Sequence, residues 1–246
     1  GIDSALVAAI ATEALGRDKV HGVSLPSKYS SDHSLKDAED LTSTLGISYE
    51  VIPIQACVDE MEQTLKPCFS GHSPNVAEEN IQARIRGDIL MALSNKFGWM
   101  VLSTGNKTEL ALGYCTLYGD MSGGLSVISD LSKTDVYTLA HWINSKYPER
   151  IPIGSINKPP SAELAPNQVD PFDYDIVSPL VDLIIEEGKT VIQLVKLGID
   201  KELVNLVYQK IRLSEYKRRQ AAPGLRVSTK AFGIGRRFPI VNHFKN

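Results

Sequence analysis

The stretch "WMVLSTGNKTELALGY" (Trp99–Tyr114) decides the fold. Trp99–Thr104 is a short apolar run, which predicts a buried strand, and the polar turn after it hands the chain to a helix headed by Glu109. The same alternation extends outward in both directions. Toward the N-terminus a long helix is expected from about Val76 to Lys96, with strands at Lys19–Leu25 and Ser48–Ile54. A further helix is expected at Ser34–Gly46, where Ser34 and Asp37 have capping-box spacing, and a first one at Ser4–Leu15, stopped by Gly16. Toward the C-terminus Leu131–Tyr147 has helical periodicity, a Pro-, Asn- and Asp-rich loop is expected from Pro148 to about Pro179, and the last third reads as helices broken at Gly188 and Gly198. Strands alternating with helices predict an α/β fold: a parallel sheet with helices on both faces, here with a helical C-terminal extension and ligands at the carboxyl ends of the strands. A loop as long as 148–179 inside a compact unit tends to be a lid or a mobile segment.

The size and charge of the chain narrow its partners. A length of 246 residues suits one substantial α/β core, and residues 1–246 are read as a single domain. A net charge of −3 argues against a dedicated nucleic-acid binder. The one basic cluster, "YKRRQAAPGLR" (Tyr216–Arg226), lacks the interleaved aromatics of a single-strand platform and suits an anionic cofactor better. No apolar run reaches the length of a bilayer span, and no membrane partner is expected. Cys57, Cys68 and Cys115 are odd in number and form no C-x-x-C pair, which predicts a reducing, cytoplasmic setting. His21, His33, His72, His141 and His243 form no metal-binding pattern and are read as structural or exposed. With no G-x-S-x-G elbow, nucleophilic hydrolysis is unsupported. An opening Gly-Ile-Asp-Ser without methionine is read as a fragment of a longer frame.

Three places carry candidate chemistry, and each has a purely local reading beside it. Asp3 and Ser4 open the first helix, where unpaired N–H groups and the helix dipole attract phosphate, though both are also ordinary N-cap residues. Thr104 and Glu109 present a hydroxyl and a carboxylate at the ligand edge of the sheet, where Glu109 could help hold Mg²⁺ or simply cap its helix. Lys133 sits near a helix start, where its charge opposes the dipole; a bound polyphosphate would account for it, as would a solvated surface position. Ser122–Gly124 is not followed by Asp-Ser and is not counted as a second phosphate loop.

Taken together, "GIDS", "NIQARIRG" (Asn80–Gly87), "STGNKTELALGY", "YGD", "LSKTDVY", "KPPSAELAPNQ" and "EYKRRQAAPGLRVS" resemble NAD synthetases, members of the ATP-pyrophosphatase group, in the family's order and over essentially the whole chain. The resemblance implies an adenine-nucleotide α-hydrolase-like fold and places Gly1–Ser4 at the end of a Ser-Gly-Gly-x-Asp-Ser phosphate loop, so that the chain would begin inside that loop. It also implies ATP-dependent amidation of deamido-NAD to NAD through an adenylate, releasing pyrophosphate and AMP, with ammonia as the nitrogen donor.

On the matching positions, Asp3 and Glu109 would bind Mg²⁺ and act with Lys133 in catalysis. Gly1, Asp3, Ser4, Thr104, Lys133 and Ser161 would contact ATP, and Asn80, Arg84, Glu109, Tyr114, Leu117, Asp120 and Lys217 would line the deamido-NAD site. A homodimer is implied, because the family's dinucleotide site lies at a subunit interface. Leu117 stands where short ammonia-dependent members tend to have lysine, and the tail "PGLRVSTKAFGIGRRFPI" resembles the glutamine-dependent branch, whose separate amidase domain would be fused in the intact protein. "NQVDPFDYD" is short for the family. Two other readings remain open from sequence: another ATP-pyrophosphatase amidotransferase of the GMP-synthetase kind, which would have no use for the Ser103–Asp120 block, and a non-catalytic nucleotide-binding module.

Overall fold

A computed structural model describes residues 1–166, 168–233 and 235–241. The alternation of elements expected from sequence is present. Helix α1 (Ile2–Leu15) buries Ile2, Ala5, Leu6, Val7 and Ala9, apolar on several faces at once, as befits a helix surrounded by protein. Strand β1 (His21–Ser24) and strand β2 (Ser48–Val51) flank helix α2 (Asp32–Leu45) and pair in parallel, with His21 opposite Ser48 and Ser24 opposite Val51. Helices α3 (Gln55–Phe69) and α4 (Val76–Phe97) lead to strand β3 (Leu102–Ser103), which pairs in parallel with strand β4 (Leu125–Ser126). Helix α5 (Lys107–Leu112) lies in the crossover between these two strands. Then come helix α6 (Lys133–Lys146), the short helix α7 (Ile153–Asn157), and helices α8 (Tyr174–Ile185), α9 (Val191–Lys196), α10 (Lys201–Leu213) and α11 (Glu215–Arg218).

Several boundaries depart from the sequence reading. Ser31, not Ser34, caps α2, its side chain accepting from the Ser34 N–H, while Gly46 closes the helix in the left-handed conformation at φ 67°. Neither Asp3 nor Ser4 is an N-cap: the cap of α1 is Gly1, and Asp3 lies in the first turn. The strand expected over Trp99–Thr104 contracts to Leu102–Ser103. The expected loop at 148–179 contains α7 and the start of α8, whose Pro179 is tolerated within the helix because Val177, Leu180, Val181, Ile184 and Ile185 are buried together.

Three apolar clusters hold these elements. The first joins α1, α2, α6 and α7 through residues such as Leu6, Leu45, Val136, Ile143 and Ile156, with Leu102 of β3 against it. A second cluster lies beyond the carboxyl end of β1, where Leu25 packs with Ile54, Val58, Ile81 and Ile85. The third joins α5, α8, α9 and α10 through Ala111, Val181, Ile184, Leu194 and Ile211. Each fully buried Leu or Ile contributes about 1.5–3 kcal/mol from leaving water. The clusters frame the carboxyl ends of β1 and β3, and the candidate site lies there.

Candidate active site

The site is built on helix starts. Asn106 caps α5, its Oδ1 accepting from the Glu109 N–H at 3.0 Å, and Glu109 returns the bond through Oε2 to the Asn106 N–H at 3.3 Å. This reciprocal box fixes the Glu109 side chain and leaves Oε1 free for other work. Asn106 also donates through Nδ2 to Asp3 Oδ1 at 2.9 Å, linking the first turn of α1 to that of α5.

Between the two carboxylates stands Lys133, only 2 % exposed, at the first position of α6. Its Nζ donates to Asp3 Oδ2 at 2.5 Å and to Glu109 Oε1 at 3.3 Å, and lies 5.3 Å from the centroid of the Tyr174 ring. A buried cation near a helix start is costly; two counter-charges and an aromatic face offset that cost. The Lys133 backbone N–H donates to Thr108 Oγ1 at 3.1 Å, and that hydroxyl donates to Ser178 Oγ at 3.0 Å, so one buried threonine ties α5, α6 and α8 together.

Electrostatics follow from this crowding. Burial, and then the neighbouring Asp3, push the Glu109 carboxyl up to about 8, against the opposing pull of Lys133. Lys133 is raised by Glu109 and Asp3 despite the contrary effect of its burial. Asp120 is exposed, and its Oδ1 accepts from the Thr116 N–H at 2.7 Å. Burial also lifts the Cys115 thiol to about 12, which keeps it an unreactive thiol; it and Cys57 and Cys68 are free.

A cavity of about 510 Å³ opens beside the cluster, lined by Gly1, Asp3, Ser4, Thr104, Glu109 and Lys133, with Ser161, Tyr114 and Asp120 also on its wall. The remaining candidates gather around the turn 113–120 instead. Asn80 Oδ1 accepts from Thr116 Oγ1 at 2.7 Å, Arg84 donates through Nε to the Leu117 carbonyl at 3.2 Å, and Lys217 Nζ donates to the carbonyls of Gly113 and Cys115, both at 2.7 Å. None of Asn80, Arg84, Leu117 or Lys217 lines the cavity itself. Helix α4 approaches this turn backbone to backbone. A Cβ on Gly87 would fall 2.8 Å from the Tyr118 carbonyl, and one on Gly119 would fall 3.0 Å from Ala83. Ser161 Oγ is engaged with the Gln168 carbonyl at 2.5 Å.

Sequence reasoning missed four charged residues of the cavity wall. Arg86 donates through Nε to the Leu25 carbonyl at 2.9 Å; it is offset from Arg84 by two positions and so lies on a different helix face, Arg84 being exposed. Lys158 pairs with Glu163, and both bond Ser31 and Ser34. Asp170 accepts at Oδ2 from the Tyr174 hydroxyl at 2.8 Å. The signal for the first was an arginine inside a motif already singled out; for the others there was only proximity that the fold creates. Of the histidines, His21, His33, His72 and His141 are exposed, His21 stacking on Trp99 at 3.8 Å, and His243 lies outside the described residues.

The chain that carries this cluster is similar to known proteins. A profile of the NAD synthase family matches residues 1–221. The chain belongs to the NAD synthase family. It is 51% identical to a glutamine-dependent NAD(+) synthetase of Thermotoga maritima, over 100% of this chain and 43% of that protein. Among solved structures, a glutamine-dependent NAD+ synthetase from Acinetobacter baumannii in complex with ADP is 43% identical, with a TM-score of 0.64, across 98% of this chain and 44% of that one. An NH3-dependent NAD synthetase from Campylobacter jejuni is 28% identical, with a TM-score of 0.71, across 88% of this chain and 82% of that one. The fold is that of the NAD synthetases, the adenine-nucleotide α-hydrolase type expected from sequence. The chain spans less than half the length of the glutamine-dependent relatives it matches.

Proposed function

We propose that this chain is a ligase domain that amidates deamido-NAD to NAD at the expense of ATP. A carboxylate oxygen of the nicotinate attacks the α-phosphorus of ATP and the bond to pyrophosphate breaks, leaving an adenylate. The nitrogen of ammonia then bonds to the carboxyl carbon, the bond to AMP breaks, and the nitrogen sheds one proton to give the neutral amide. The observation that carries this reading is the Asp3–Lys133–Glu109 cluster at the start of α1, on the wall of a cavity that also presents Thr104 and Ser161.

Each residue has a task. Lys133 offsets phosphate charge, and the N-terminus of α1 with Gly1 and Ser4 receives phosphate oxygens. Thr104 and Ser161 complete the ATP side. Tyr114 and Asp120 carry the dinucleotide from the cavity wall, and Asn80, Arg84 and Lys217 hold the turn 113–120, with Leu117, in shape to do so. Among the described residues no group of three or more His, Cys, Asp or Glu could hold a metal unaided. Two carboxylates converging on one point suit Mg²⁺, which takes few protein oxygens and fills its shell with phosphate and water. Held by Asp3 and Glu109, Mg²⁺ would supply charge neutralisation at the phosphates when bound.

The intact protein is a homodimer, and a fused amidase domain supplies ammonia from glutamine; the glutamine dependence in the names of the longer relatives supports the second point. The free cysteines, with no membrane-spanning helix among the described residues, support a cytoplasmic setting. The test is pyrophosphate release by this chain with ATP, Mg²⁺ and ammonium, with and without deamido-NAD. Release that requires the dinucleotide is expected; release independent of it would overturn the assignment in favour of another amidotransferase. Light scattering that shows an active monomer alone would overturn the dimer.

A further inference from the structure

Lys133 has a third partner whose part in the reaction is still unassigned. Asp3 and Glu109, which hold its Nζ, are the same two carboxylates proposed above for Mg²⁺. Oxygens that serve a metal serve an ammonium less well, because the lone pairs and the negative charge are shared. A cation only 2 % exposed then needs something besides them to fix its place. The face of the Tyr174 ring, its centroid 5.3 Å from Nζ, meets that need, since neither a metal nor a phosphate competes for it.

The ring is held firmly. Tyr174 is the first residue of α8, next to the Asp173 cap, on a helix anchored by the buried Val177, Leu180 and Val181. Its hydroxyl donates to Asp170 Oδ2 at 2.8 Å, and Phe172 meets the ring edge-on with centroids 6.2 Å apart. The bond to Asp170 does more than orient. A phenol that donates to a carboxylate is polarised toward its anion, which deepens the negative charge on the ring face. Tyr174 is itself buried and does not line the cavity, so it reaches no substrate directly. Whatever it contributes passes through Lys133.

We infer that Tyr174 is a positioning residue for the ligase reaction, its ring face keeping the Lys133 ammonium in place at the cavity wall when the two carboxylates turn to other partners. The inference rests on the role given to Lys133 above and extends it by one residue. The aromatic face is the working group. The hydroxyl tunes and orients it.

Replacing Tyr174 by phenylalanines with progressively more ring fluorines separates this role from packing. Fluorine draws charge off the ring face while keeping its shape and adding apolar surface. In chelator, the urea-unfolding midpoint should fall stepwise along the series, and in a K133M background, or K133Q should K133M not fold, the decline should vanish. A series that holds level or rises overturns the inference, as does an equal decline without the lysine, because packing alone would do either. Turnover gives a second readout. Pyrophosphate release with ATP, Mg²⁺, ammonium and deamido-NAD should fall about 10- to 30-fold in Y174L, the worth of one desolvated cation–π contact, and less than about 3-fold in Y174F, which keeps the ring. An unchanged Y174L, or equal losses in the two variants, overturns the inference, since the ring face would then not be what matters. A wild type without dinucleotide-dependent release would sink the amidation reading, and the unfolding series would still judge the contact between Tyr174 and Lys133.

Discussion

At the scale of single residues, the site is a contest among charges in a confined space. Glu109 shows its terms. An unfolded glutamate loses its proton near its ordinary value of 4.5, whereas the folded one holds it to about 8. Between those values the native state binds more protons than the unfolded one, so stability falls as pH rises through that window and levels off above it. In chelator, urea unfolding of the wild type should show this decline and E109Q should lack it, the variant gaining on the order of a few kcal/mol relative to the wild type by about pH 8; parallel curves would refute the assignment. K133M should do the reverse, leaving the Asp3 carboxylate without its ion-pair partner. It is expected to lose about 3–5 kcal/mol of stability and about 10²–10³-fold in the rate of pyrophosphate release. Asp3, Glu109 and Lys133 were each visible in the sequence because helix starts are local events with local signatures. Their meeting was not, because positions 3, 109 and 133 are brought together only by the parallel topology, and the counter-charges of Lys133 are protein carboxylates where a phosphate was expected.

At the scale of elements, the demanding piece is α5, which spans only Lys107–Leu112 and is too short to persist alone. It is fastened at its first residue. The Lys107 N–H donates to the Leu131 carbonyl at 2.8 Å, and its ammonium, 1 % exposed, reaches Glu186 at 2.6 Å, Asp182 at 3.0 Å and Asp130 at 4.0 Å. Removing the cation strands three carboxylates, so K107M should cost about 3–5 kcal/mol in urea unfolding, far beyond an exposed lysine substitution, and should lower activity by loosening Glu109. Gly87 governs the other wall. G87A forces a Cβ against the Tyr118 carbonyl, in a turn where Tyr118 itself has φ 62°, and should cost about 1–3 kcal/mol while raising the KM for the dinucleotide more than that for ATP. Elements with polar caps, such as α4 with its Asn75–Glu78 box, were legible. Helix α3 went unnoticed because its cap position is Ile54, which offers no side-chain bond, and Pro67 interrupts its end. The start of α8 was hidden because Pro179 reads as a breaker until tertiary burial outweighs it.

At the scale of the whole molecule, a polar clasp links the segment after β4, whose Ile128 belongs to the first apolar cluster, to α5 and α8 of the third. Asp130, buried, accepts from the N–H groups of Val227 and Ser228 at 2.7 Å each and from Ser228 Oγ at 2.8 Å, and Glu186 accepts from Thr229 Oγ1 at 2.7 Å. The C-terminal strap is thereby pinned to the edge of β4, where Ser126 bridges Gly224. D130A should release it, seen as protease cleavage within residues 223–241 under conditions where the wild type resists. None of this was legible in the sequence, in which Asp130 and Ser228 lie 98 positions apart. That separation has a consequence in time. A clasp whose parts come from such distant points closes only after the chain between them has collapsed, since the entropy of closing so long a loop is lost before the contact returns anything. Its bonds therefore form on the native side of the folding barrier, and weakening them with K107M or D130A should quicken unfolding while leaving the refolding rate nearly as it was. What the clasp sets, on this view, is how long the native state endures.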